Sequence, residues 1–179
     1  MHIPPVIFQE GDNLYKTFES KYLTHERGLF ILAPSGTGKT YYCTHQQAQH
    51  WIDGDELWIA AGAHPDGAWW NESIEVINRI DNRSDVITME AKELGFWIMG
   101  ASNLWLKPDA IVIPDWETHL GYIMHRETNN YDGGATSEGL EQVREHIAVI
   151  KKWNTDFGVP MFNSIEEAVE ALTSEDSLA

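Results

Sequence analysis

Two hydrophobic rhythms alternate along this chain. Continuous apolar runs at residues 29–33, 96–99 and 110–113 have the length and evenness of strands covered on both faces. Between them, apolar residues recur every three or four positions, as on a helix with one buried face. Residues 39–49 read as a helix after the first run, followed by a short strand at 50–53. Residues 61–68 are small and turn-prone. Ile74, Ile77 and Ile80 share one face of a helix that ends at the polar break Asn82-Arg83-Ser84-Asp85. A second helix carries Val86, Met89, Ala91 and Leu94 and closes at Gly95. A helix is expected over residues 116–126, then a polar, Gly-containing loop at 127–134. Leu140, Val143, Ile147 and Ile150 define another amphipathic helix, ending at Lys151-Lys152. Residues 159–162 form a last short strand, and Ser164 with Glu167 is a capping box opening the final helix.

This strand–helix alternation predicts an α/β fold, a parallel sheet with helices on both faces. Residues 28–172 form the expected domain. Residues 1–27 are an N-terminal extension, with Pro4-Pro5 breaking any helix at its start and a helix over 14–22 packed on the core. Residues 173–179 are expected to be a flexible tail.

The chain has 179 residues, of which 42% are hydrophobic, enough for one domain with a core. The net charge of −16 disfavours broad, sequence-independent DNA binding, which needs Lys and Arg against phosphate. A single cysteine, Cys43, excludes an internal disulfide framework and fits a reducing compartment. The apolar runs are too short to span a membrane and no secretory leader is evident, so a cytoplasmic location is expected. The eight histidines lack the spacing of a zinc site.

The first apolar run leads into Ala33-Pro34-Ser35-Gly36-Thr37-Gly38-Lys39-Thr40. Strand, glycine-containing loop, then Lys-Thr at a helix start is the order a phosphate cradle requires. Backbone N–H groups wrap a phosphate, Lys39 supplies a mobile cation and the Thr40 hydroxyl holds Mg²⁺. Ala33 stands where such loops usually begin with glycine. The second strand ends in Asp53-Gly54-Asp55-Glu56-Leu57, whose two aspartates at i and i+2 point to one side if the chain stays extended. One carboxylate then helps organise hydrated Mg²⁺ while the other accepts a proton from an acceptor hydroxyl. A solvated Asp-Gly-Asp turn is the alternative.

Residues 33–40 together with 52–57 resemble the small P-loop kinases, the nucleoside-monophosphate, shikimate, gluconate and adenylylsulfate kinase group. In the last two, a strand ending in Asp-Gly-Asp sits at the acceptor site. The resemblance spans about residues 28–172, with the closing segment from Gly158 to Val169 similar to the last strand and helix of that group. It implies a three-layer P-loop NTPase fold, a five-stranded parallel sheet with a lid over the nucleotide, and ATP and Mg²⁺ as cofactors. It further implies that Lys39 neutralises the transferring phosphoryl group, that Thr40 and Asp53 position Mg²⁺, and that Asp55 orients or deprotonates the acceptor. Arg126 and Arg144 are candidate lid arginines, with plain surface positions as the alternative. His64, Trp69 and Trp70 fall where these kinases form the acceptor pocket; a turn-capping histidine and packed indoles are the competing readings. The third strand is expected beside the loop and the fourth is not. Asp115 is therefore read as a helix cap rather than a Mg²⁺ ligand, and Ser102 or Asn103 is left to reach the metal through water.

The resemblance thus implies transfer of the γ-phosphoryl group of ATP to a hydroxyl or phosphate of a small nucleotide-like or metabolite acceptor. A kinase acting on a hydroxymethylated pyrimidine in DNA is one alternative, suited to the Asp-Gly-Asp and paired tryptophans but opposed by the net charge. A non-kinase P-loop NTPase or nucleotide-binding module is another, and the third strand lacks the carboxylate it needs.

Overall fold

The computed structural model describes residues 14–65, 69–128 and 139–174. It has an α/β architecture, with one all-parallel sheet of five strands in the order β2-β3-β1-β4-β5, flanked by helices. The strands are β1 (Leu29–Leu32), β2 (Trp51–Asp53), β3 (Trp97–Gly100), β4 (Ala110–Val112) and β5 (Met161–Phe162). The helices are α1 (Leu14–Lys21), α2 (Lys39–His45), α3 (Gly54–Ala60), α4 (Ile74–Glu93), α5 (Trp116–Thr128), α6 (Leu140–Phe157) and α7 (Ile165–Thr173). No helix among the described residues is long and apolar enough to cross a membrane. Every residue of β1, β3 and β4 is buried, as their unbroken apolar runs require.

The chain falls into two compact units, Met1–Phe30 with His45–Leu106 and Ile31–Thr44 with Lys107–Ala179, the division passing through β1. In the first unit β2 pairs with β3, setting Trp51 opposite Trp97 and Asp53 opposite Met99. Phe18 and Tyr22 of the α1 segment are buried, and the Tyr22 hydroxyl donates to Glu56 Oε2 at 2.5 Å. In the second unit β1 pairs with β4 (Ile31 opposite Ala110) and β4 with β5 (Ile111 opposite Met161). Ile123 of α5 and Val143 of α6 form a buried cluster there, packed by Trp116, Leu140 and Ile147.

Several expected boundaries move. The break at residues 82–85 does not occur, and α4 runs unbroken from Ile74 to Glu93. Its polar residues are bonded in place: the Ser84 hydroxyl donates to Ile80 O (2.9 Å) and the Thr88 hydroxyl to Ser84 O (2.7 Å). Helix α2 stops at His45, because Gln46 turns back to accept from His50 N and Trp51 N and to donate to Trp51 O. Helix α6 continues past Lys152 to Phe157 and ends at Gly158, in the left-handed conformation with φ 69°. The capping box at α7 is present, Glu167 N donating to Ser164 Oγ at 3.1 Å. The first strand expected to flank the loop, β3, does border β1, but so does β4, which corrects the expectation that the fourth strand lies elsewhere. Asp115 nonetheless caps α5: its carboxylate accepts from Thr118 N (3.1 Å) and the Thr118 hydroxyl (2.6 Å), which hold its pKa below the usual value. Most of the predicted loop at residues 127–134, with the start of the chain and the tail from residue 175, lies outside the described residues.

Candidate active site

The loop after β1 lies within the second unit. Gly36 and Gly38 have φ of 83° and 93°, a region that side chains with a Cβ rarely adopt, so the two glycines let the backbone wind tightly. Lys39 Nζ folds back onto the loop and donates to Ala33 O (3.0 Å) and Pro34 O (2.7 Å), with the Thr37 hydroxyl 3.4 Å away. Thr37 is buried and its hydroxyl donates to Pro34 O at 2.9 Å. The two carbonyls therefore gather on the ammonium. Pro34 has no N–H, so of these two peptides only the second carries one, that of Ser35, which points the opposite way because C=O and N–H are antiparallel across a trans peptide. Thr40 stands exposed in the first turn of α2, where its hydroxyl is a hard oxygen donor suited to Mg²⁺. Cys43 is buried in the same helix.

The two candidate arginines fare differently. Arg126, on α5, reaches the loop, with Nη1 3.5 Å from Ser35 Oγ. Arg144, on α6, is exposed and lies with its guanidinium 4.2 Å above the Trp116 ring, a cation–π contact rather than a contact with the loop.

The Asp-Gly-Asp segment belongs to the first unit. Extended geometry ends at Asp53, which caps α3 by accepting from Asp55 N at 3.2 Å. Asp55 thus sits in the first turn of a helix, so the i, i+2 argument from an extended strand does not apply. Gly54 serves packing as well as turning: a Cβ there would meet Trp58 Cη2 at 2.6 Å. Trp58 is fully buried, with Nε1 donating to Thr88 Oγ1 at 3.0 Å.

Asp55 is exposed and its Oδ1 lies 3.9 Å from Nδ1 of the buried His64. Burial pulls the His64 pKa down to about 4, so the ring is neutral near pH 7 and the contact is not an ion pair. The Ser84 proton goes to Ile80 O, so His64 Nε2–H donates to Ser84 Oγ (2.9 Å) and Nδ1 is left as an acceptor beside Asp55. Behind them the Ser102 hydroxyl donates to Asp81 Oδ1, with Ser84 Oγ 3.3 Å away. Burial, against the Ser102 bond and with Asp85 nearby, pushes the Asp81 carboxyl up to about 7. Trp69 packs edge-on against His64 with ring centres 4.8 Å apart, while Trp70 is exposed. The expectation that Ser102 or Asn103 reaches a metal is not supported: Ser102 is buried against Asp81, and Asn103 Nδ2 donates to Asp85 Oδ1 and Leu106 O.

Comparison of the chain with protein-family models, curated proteins and solved structures finds no match.

Sequence reading did not single out Asp81, Ser84 or His119. Ser84 sits in the stretch that looked like a break, and Asp81 immediately before it. His119 occupies a helical stripe with Trp116 and Ile123, three and four residues away, and a polar residue within an apolar stripe is the one signal that marks it.

Proposed function

We propose that the chain is an ATP- and Mg²⁺-dependent kinase that transfers the γ-phosphoryl group to a hydroxyl or phosphate of a small nucleotide-like or metabolite acceptor. The observation that carries this reading is Lys39, held at 2.7 and 3.0 Å by two carbonyls of a loop wound on two positive-φ glycines. A lysine cation on a glycine-wound loop at a helix start is what a polyphosphate needs and an ordinary turn lacks. On nucleotide binding, Lys39 exchanges those carbonyls for phosphate oxygens and counters charge on the transferring group. Thr40 would offer its hydroxyl to a Mg²⁺ ion bound with the triphosphate, and that ion would supply further neutralisation of phosphate charge.

Asp55 serves the acceptor. The bond from the γ-phosphorus to ADP breaks, a bond to the acceptor oxygen forms, and the acceptor proton passes to the Asp55 carboxylate. Asp55 is exposed and its carboxylate only accepts, so it suits the proton of an acceptor hydroxyl and repels an anionic phosphate, which favours a hydroxyl over a phosphate.

The test is incubation with γ-labelled ATP, Mg²⁺ and a panel of nucleosides, nucleoside monophosphates, hydroxy acids, sugars, and DNA with or without hydroxymethylated pyrimidines. Label on a small hydroxylated molecule is the expected result. Label on DNA alone replaces this reading with the base-kinase one, and release of free phosphate whatever the acceptor replaces it with an NTPase.

A further inference from the structure

His119, on α5, is fully buried and its Nε2 lies 2.7 Å from the carbonyl oxygen of Ser35 in the loop. A carbonyl only accepts, so Nε2 carries the proton and the tautomer is fixed. Nδ1 is then a bare acceptor, and it is buried with no hydrogen-bond partner among the described residues. Buried polar atoms are nearly always paired. A fold that leaves Nδ1 orphaned is giving up one interaction to keep the Nε2–H on Ser35.

The consequence falls on the next peptide unit. With Ser35 O drawn toward α5, the N–H of Gly36 points the opposite way across the same trans peptide. Ala33 O and Pro34 O are meanwhile held by Lys39. Three consecutive carbonyls thus have assigned donors, two from the ammonium and one from the imidazole. The wall is close: a Cβ on Gly36 would lie 2.8 Å from Ile123 Cγ1 and 3.4 Å from His119 Nε2. Trp116 packs edge-on against the imidazole, with ring centres 5.8 Å apart.

We propose that His119 is a positioning residue of the loop, whose Nε2–H locks the Ser35 peptide so that the Gly36 amide is presented to the triphosphate. The role rests on the reading of this loop as a nucleotide site. It requires the neutral imidazole, and burial, with the Lys39 charge adding and the Ser35 bond opposing, lowers the pKa of the ring.

The test compares wild type with His119→Gln, which keeps an N–H donor near the Nε2 position, and His119→Leu, which keeps bulk and loses the donor. Mg·ATP affinity is measured by titration calorimetry and melting temperature by fluorescence. The Gln variant is expected within about threefold of wild type, and the Leu variant at least about tenfold weaker. Wild-type binding retained in the Leu variant, or equal losses in both, overturns the positioning role alone. Wild type that does not bind Mg·ATP overturns the nucleotide reading and this role with it. Should the Leu variant not fold, ¹⁵N NMR of the wild-type imidazole decides: a single Nε2–H tautomer, retained with Mg·ATP, is expected, and an Nδ1–H tautomer or an imidazolium overturns the proposal.

Discussion

Replacing Asp85, on α4, should destabilise the protein by several kcal/mol. Its carboxylate is fully buried, and one oxygen, Oδ2, accepts three consecutive backbone N–H groups, from Leu104 (2.8 Å), Trp105 (2.5 Å) and Leu106 (2.9 Å). The other oxygen accepts from Asn103 Nδ2 at 3.2 Å. One side chain thus ties the segment after β3 to the helix. Hydrogen bonds to a charged group contribute roughly 1.5–3 kcal/mol each. Leu104 and Trp105 are partly exposed, so their amides recover water once the segment loosens, and burying the carboxylate is itself costly, pushing its pKa up. These offsets bring the net loss for Asp85→Ala to about 3–4 kcal/mol rather than the full sum. Asp85→Asn keeps one oxygen for the three amides and loses the charge, so about 1–2 kcal/mol is expected. Urea unfolding followed by tryptophan fluorescence measures both, with an unchanged m-value as the control for the same two-state transition. A loss under about 1 kcal/mol for Asp85→Ala, or an Asn variant as damaged as the Ala one, would refute the clasp.

Asp81→Asn should change how stability depends on pH. The folded pKa of Asp81 is raised to about 7 from 3.8, so the folded state binds the extra proton and stability falls as pH rises from about 4 to about 7. His64, lowered to about 4 from 6.5, works oppositely: the unfolded state binds the extra proton and stability rises with pH over nearly the same window. The two offset in wild type; removing Asp81 leaves the rise, worth up to about 4 kcal/mol more stability at pH 8. Identical pH profiles for variant and wild type would contradict the assignment. Lys39→Ala should lower turnover at least about a hundredfold while Mg·ATP affinity changes by less than about tenfold, because the charge matters most in the transition state; normal turnover would mean that the loop holds no reacting phosphate. Asp55→Asn should cut phosphoryl transfer about a hundredfold or more and leave Mg·ATP affinity within about twofold, checked by pairing a transfer assay with calorimetry.

The central strands were legible because a strand buried on both faces has no polar positions to disguise it, as residues 29–32, 97–100 and 110–112 show. Helix α6 and the α7 cap were legible for the same local reason, periodicity in one and Ser164 with Glu167 in the other. The polar stretch Asn82 to Asp85 misled because its partners lie about twenty residues away: Asp85 bonds to residues 103–106 and Ser84 meets His64. Local pattern carries no trace of such pairings, so a buried polar helix segment reads as a break. The glycine-wound loop after β1 was legible because Gly36, Gly38 and Lys39 are contiguous in the chain. His119 was not, since it meets Ser35 from 84 positions along the chain. Asp55 was singled out for an extended i, i+2 geometry that the cap at Asp53 replaces.

The most direct test of the central claim is equilibrium titration of the purified protein with Mg·ATP, with tripolyphosphate as competitor. The account predicts one nucleotide per chain, bound with a dissociation constant in the range of about 1 μM to 1 mM and displaced by tripolyphosphate. No binding at about 10 mM Mg·ATP would contradict it, because a kinase must hold its triphosphate well below that concentration.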